Sequence, residues 1–184
     1  MHSFLRFAAP LLTACALAAL PSTGAAQAPG PGRSSANPAC TLLTLAEMRS
    51  ASGQQYDHES EGDAMGEGLG GGASCQWGGP SFGPGEERPL LSLILVPIKG
   101  RSLTEGGLKA APRKGCTREK LSGIGEVAFL ETCESSRGPV AYAKAGTWDV
   151  VVQMDAKPPA TAASVKPAIL AVAKAAAARL KAKS

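Results

Sequence analysis

Five cysteines carry most of the reactive chemistry that this 184-residue chain could perform: Cys15, Cys40, Cys75, Cys116 and Cys133. A cysteine nucleophile needs a base or a positive neighbour to hold it as thiolate. Beyond residue 2 the sole histidine is His58, set in the acidic run "YDHESEG". Cys40 stands in "PACTLLTLAEM", where a helix starting at Thr44 leaves its positive end about a turn away. Neither feature activates a thiol. Structural zinc sites space their ligands closely, whereas these cysteines are far apart, with no C-x-x-C and no paired histidine. Without Cys15, which falls in the N-terminal apolar run, four remain, and an even number in a short exported chain reads instead as a disulfide framework.

Three pairings connect Cys40, Cys75, Cys116 and Cys133. The sequential one, Cys40–Cys75 with Cys116–Cys133, is preferred because each bridge then closes a modest loop around one supersecondary unit. Chain-entropy reasoning assigns about 3–4 kcal/mol to each, a large share of the roughly 5–15 kcal/mol that holds a domain together.

Export is expected from the N-terminus. Arg6 precedes an apolar run from Phe7 to Leu20, then Pro21 and small residues, the layout of a secretory signal peptide. Cleavage is expected between Ala26 and Gln27, giving a signal peptide over 1–26, a disordered leader over 27–38 and a single disulfide-stabilised domain over 39–184. Leu12-Thr13-Ala14-Cys15 offers a competing lipobox in which Cys15 becomes a lipidated N-terminus. The apolar stretch continues past Cys15, where a lipoprotein tether is normally polar, so the soluble reading is preferred. The expected location is therefore periplasmic or secreted, with membrane contact only if Cys15 is acylated. A net charge of +4 is too mild to imply a nucleic-acid partner.

Other chemistries lack their context. Asp57, Glu59, Glu61 and Asp63 alternate like a calcium loop, but the twelfth position holds Gly68, where an EF-hand needs a bidentate glutamate. A solvated acidic loop is the expectation. The glycines from Gly66 to Gly72 follow no strand and precede no Lys-Ser/Thr pair, so a phosphate cradle gives way to a flexible connector. A hydrolase built on paired carboxylates would need no histidine, yet no pair of acids is positioned by spacing. No cofactor is expected.

The elements that position these residues follow from pattern. Thr44-Leu45-Ala46-Glu47 has the form of a capping box, and Gly53 can close the helix in a left-handed conformation, predicting a helix over 45–52 with Leu45 and Met48 inward. Strands are expected over 74–77, over the doubly apolar "LLSLILVPI" (90–98), and near 126–132. "PVAYAKAGTWDVVVQM" predicts a hairpin with Trp148, Val150, Val152 and Met154 on one face. A turn at Ala145-Gly146 would set Trp148 opposite Ala143 and Asp149 opposite Tyr142. Gly106, Gly107 and Pro112 argue against a long helix in "SLTEGGLKAAPRKG", while Lys109, Arg113, Lys114, Arg118 and Lys120 make this the most basic stretch. From Ser164 to Lys181, Val165, Ile169, Val172, Ala173, Ala176 and Leu180 line one helical stripe. The fold expected is α+β: an antiparallel sheet with a short N-terminal helix and a long C-terminal helix packed on it. Its aromatic content is low, with Trp77, Phe129, Tyr142 and Trp148 in these elements, so the core should be aliphatic and thin.

"CTLLT" at Cys40–Thr44, "CQW" at Cys75–Trp77 and "GIGEVA" at Gly123–Ala128 together resemble a family of small bacterial exported proteins and lipoproteins of unknown function. The resemblance spans roughly 38–182. It implies a PsbP-like α/β sandwich and brings no catalytic residues. The functional expectation is a non-catalytic envelope domain that binds a ligand or protein partner, with the surface opposite the C-terminal helix as its binding face. A groove between hairpin and helix is the usual place for a small ligand. The alternative is an accessory or inhibitory protein of an envelope enzyme, acting through the loop 78–89 or the basic stretch.

Overall fold

Alternation along the strands sorts the side chains of this protein onto two faces of a single sheet. A computed structural model describes residues 37–56, 58–62, 72–78, 90–136, 138–155 and 161–183. In chain order the elements are α1 (Pro38–Leu42), α2 (Leu45–Ser52), β1 (His58–Gly62), β2 (Ala73–Gly78), β3 (Leu91–Pro97), α3 (Leu103–Lys109), β4 (Cys116–Leu121), β5 (Val127–Cys133), β6 (Val140–Ala145), β7 (Trp148–Met154) and α4 (Ala162–Ala182). The strands form one seven-stranded sheet in the order β1-β2-β3-β7-β6-β5-β4, antiparallel at every step. The expected α+β architecture is what the chain adopts.

One sheet face meets α4. Val150, Val152 and Met154 of β7, Leu91, Leu93 and Leu95 of β3, and Ala141, Ala143 and Ala145 of β6 join Val165, Ile169, Val172, Ala173, Ala176 and Leu180 in a continuous core. The predicted helical stripe is buried in full, while Lys174 and Lys181 are exposed. Alanines on both sides let helix and sheet approach closely, so the core is thin and close-packed. Tyr56, outside the expected elements, is also fully buried, and burial pushes its phenol pKa up to about 12.

Helix α2 has the bounds and caps that its sequence predicts. Thr44 accepts from the Glu47 backbone N–H while the Glu47 carboxylate accepts from the Thr44 N–H at 2.8 Å, and Gly53 closes the helix at φ 68°. Those hydrogen bonds from Thr44, with the Arg179 guanidinium of α4 alongside, hold the Glu47 carboxyl below the usual range. Arg179 also donates to the Leu42 carbonyl at 3.2 Å, tying α4 to the turn between α1 and α2.

Four local expectations are corrected. Ordered structure begins before residue 39: Asn37 caps α1 through its side chain and Pro38 opens that helix, so both belong to the fold rather than to a leader. The acidic run is not wholly a solvated loop, since 58–62 is an edge strand paired to β2. The basic stretch contains a seven-residue helix, α3, and then the opposite edge strand, β4. The β6–β7 turn uses Gly146 (φ 59°) and Thr147, so Trp148 pairs with Ala145 and Asp149 with Lys144. The turn moves by one residue and each pairing partner by two, which keeps every side chain on its expected face; glycine serves the positive-φ turn position without steric cost.

Candidate functional site

The sheet face opposite α4 carries Arg118, Phe129, Glu131, Tyr142, Lys144 and Asp149 beside a small apolar cluster of Ile94, Val96 and Val151. On it α3 is held at both ends and in the middle. At its N-terminus the Asp149 carboxylate of β7 accepts from the Ser102 hydroxyl (2.6 Å), the Leu103 N–H (2.7 Å) and the Thr104 N–H (3.2 Å). At its C-terminus Arg118 of β4 donates to the carbonyls of Gly107 and, at 2.8 Å, Ala110. A negative group at a helix start and a positive group at its end both complement the aligned peptide dipoles. Between them, Gly107 rests on the Phe129 ring, where an added Cβ would fall 2.8 Å from the ring edge. Lys144 completes the attachment through Glu105 at 2.8 Å. That hydrogen bond and ion pair hold the Glu105 carboxyl below its ordinary range, and with Glu126 they raise the Lys144 ammonium.

Beside α3 lies a compact cluster. Phe129 and Tyr142 stack with centroids 4.6 Å apart, and the Arg118 guanidinium sits 4.8 Å above the Phe129 ring. The Glu131 side chain, 6% exposed, is held by Arg118 and Arg113, each at 2.5 Å. Burial alone would push the Glu131 pKa up; the two guanidiniums outweigh it and leave the carboxyl below its usual range. Burial raises the Tyr142 phenol, with Glu131 adding in the same direction. Arg118 is enclosed, whereas the Arg113 side chain is 71% exposed. A carboxylate ionised and saturated in this way is a poor proton donor, and Asp149 already accepts three hydrogen bonds.

Both disulfides are formed with the preferred pairing. Cys40–Cys75 ties α1 to β2, and Cys116–Cys133 joins directly opposed residues of β4 and β5. Beside the first, Asn37 Nδ2 donates to the Ser74 carbonyl at 3.0 Å, so α1 is pinned twice. Each disulfide has a glutamate carboxylate oxygen within 4.8 Å of its sulfurs, Glu59 at the first and Glu131 at the second. Oxidised sulfurs are not thiolates, which are the form that binds metal.

The sequence motifs find physical reasons. Trp77 of "CQW" is fully buried and donates to Glu59 at 3.3 Å across the β1–β2 pair. Gly125 of "GIGEVA" has φ 58° and lies under the Lys144 carbonyl, which an added Cβ would strike at 2.2 Å. The basic stretch divides: Arg113 and Arg118 serve Glu131, while Lys109, Lys114 and Lys120 remain exposed. The expected groove between hairpin and helix is not a groove, because Val150, Val152, Ile169, Val172 and Ala176 fill that interface. A shallow depression of about 450 Å³ opens instead at the β4–β5 end, lined by Cys116, Cys133, Thr117, Thr132, Glu134 and Ser136 among others. Cys15, the expected signal peptide, Asp57, Asp63, Gly66 to Gly71 and the loop residues 79–89 lie outside the described residues.

Sequence reasoning missed the Arg113–Glu131–Arg118 cluster and the Asp149 anchor. The alternation of Arg118 and Lys120 on β4 was the available signal, but it emerges only once Cys116–Cys133 fixes the strand beside β5.

Together these features define a disulfide-clamped α+β domain with a helix-covered hydrophobic face and a charged, aromatic face. No protein-family model, curated protein sequence or solved structure matches the chain. Two disulfides indicate an oxidising, extracytoplasmic environment. Among the described residues no helix is long and apolar enough to cross a membrane.

Proposed function

We propose that this chain is an exported, non-catalytic binding domain of the cell envelope that recognises a protein or ligand through the sheet face opposite α4. One observation carries the reading: the enclosed Arg118 and the buried Glu131 and Phe129 hold the exposed Arg113 and the half-buried Tyr142 in one ordered cluster on that face. Arginine and tyrosine are over-represented where protein surfaces are recognised. A pre-ordered cluster also reduces the side-chain entropy lost on binding. The signal-peptide layout and the two disulfides support export. The order of the three motifs supports kinship with small exported bacterial proteins and lipoproteins, and with their PsbP-like sandwich.

Site-specific photo-crosslinking tests the face. Crosslinkers at Gln153 and Arg113 should capture a partner in envelope extract, whereas crosslinkers at Lys174 and Lys181 on the outer side of α4 should not. Capture from α4 alone, or from neither surface, overturns the proposal.

A second reading, an accessory or inhibitory protein of an envelope enzyme, is favoured by the edge position of β4, with exposed Lys120 on it and exposed Lys114 just before it. An edge strand can accept an extended segment of a partner. Charge reversal at both lysines should then abolish capture while leaving the crosslinks from Gln153 intact in an unrelated partner.

A further inference from the structure

We propose that Cys116–Cys133 is a thiol–disulfide exchange site, opened selectively by a dithiol reductant while Cys40–Cys75 stays closed. The two bridges differ in every property that governs attack. Cys40 and Cys75 are 8% and 0% exposed in the core, and their nearby charge is the Glu59 carboxylate. Cys116, on the edge strand, and Cys133, opposite it on β5, are both half-buried, and they are among the residues that line the open depression at this end of the sheet. An incoming thiolate therefore has a path to one pair and not to the other. Exchange rates depend on that access and on the stability of the departing thiolate.

The charges around the exposed pair favour departure from Cys133. The Arg113 guanidinium lies 3.9 Å from the Cys133 sulfur. The Glu131 carboxylate is also within 4.8 Å of the sulfurs, but Arg113 and Arg118 both pair with it. Glu134 lines the depression. Arg113 is thus the cation in contact with the departing sulfur. Positive neighbours lower the pKa of a thiol and make it the better leaving group.

The step balances as follows. One thiolate of the dithiol attacks the Cys116 sulfur, forming a mixed disulfide and expelling the Cys133 thiolate toward Arg113. The second thiol, after losing its proton to solvent, attacks the sulfur of the first and expels the Cys116 thiolate. The reductant leaves as its own disulfide, two electrons pass to the protein, and both cysteines take up protons. The fold survives because the β4–β5 ladder runs from Cys116 to Leu121 and Arg118 still binds Glu131. Opening frees the end of the edge strand and the segment from Ala110 to Gly115 while α1 remains clamped.

The test uses the intact oxidised protein and dithiothreitol as the dithiol. Aliquots are acid-quenched, alkylated in denaturant and mapped by peptide mass spectrometry. Cys116 and Cys133 should become alkylated at least ~10-fold faster than Cys40 and Cys75, with near-native circular dichroism throughout. Arg113→Ala should slow this step by about three- to tenfold, and Arg113→Lys should restore most of the rate. In Cys116→Ser, the Cys133 thiol should titrate below the ordinary value of about 8.5, followed by its ultraviolet thiolate absorbance. Reduction of Cys40–Cys75 first or simultaneously, an unchanged rate in Arg113→Ala, or a Cys133 pKa at or above the ordinary value would each overturn the proposal.

Discussion

Asp149 of β7 accepts a hydrogen bond from the Ser102 hydroxyl at 2.6 Å, joining residues 47 positions apart in sequence. Ser102 in turn caps α3, accepting from the Glu105 N–H at 3.1 Å. A seven-residue helix is too short to be stable alone, so α3 exists because the sheet supplies its cap. Asp149→Ala removes the acceptor of three hydrogen bonds and leaves buried donors behind. Loss of charged hydrogen bonds of this kind costs about 1.5–3 kcal/mol. Hydrogen exchange should quicken across 103–109 while α4 keeps its protection; unchanged exchange in α3 would show that the anchor is dispensable.

Gly107→Ala sets two effects against each other. Alanine improves helix propensity by about 1 kcal/mol, but its Cβ would meet the Phe129 ring at 2.8 Å. Overpacking typically costs about 1–3 kcal/mol, so the net effect should be destabilising. Urea denaturation of Gly107→Ala should show a lowered midpoint, and Phe129→Leu in the same background should recover part of it.

Stability should fall in acid through Glu131. Its folded pKa lies below the unfolded carboxylate value, which is about 4.3. The stabilisation is therefore present above that unfolded value and is lost as pH falls through the folded one. Glu131→Gln should cost about 1.5–3 kcal/mol near neutrality. Its urea midpoint should then vary less than that of the native protein below about pH 4; parallel curves would refute the assignment.

Removal of the buried bridge by Cys40→Ala with Cys75→Ala should cost about 4 kcal/mol, against about 3 kcal/mol for Cys116→Ala with Cys133→Ala, on chain entropy alone. The packing of both sulfurs in the core adds to the first figure. Thermal melts of the two double variants should rank in that order.

Ala176 is fully buried between α4 and the sheet. Ala176→Leu should force the helix outward at about 1–3 kcal/mol, whereas Ala178→Leu, on the exposed side, should change stability by less than about 0.5 kcal/mol. Equal effects would mean that α4 does not depend on small residues for its close approach.

What the sequence determined by itself was whatever depends on neighbours along the chain. The capping box at Thr44 and Glu47, the stripe from Val165 to Leu180, the facing of Trp148 to Met154 and the sequential cysteine pairing are local patterns or short loop closures, so composition and spacing suffice. Tertiary structure alone decided the rest. HESEG became β1 because Trp77 and its neighbours on β2 offered a partner ladder, against the acidic character of the segment. α3 formed in a glycine-rich stretch because Asp149, 45 residues beyond Thr104, and Arg118, on the strand that follows α3, satisfy its free backbone groups. Glu131 came to lie between Arg113 and Arg118 because β4 pairs with β5. Such contacts arise only when distant segments are brought together, and no local periodicity records which charge will face which.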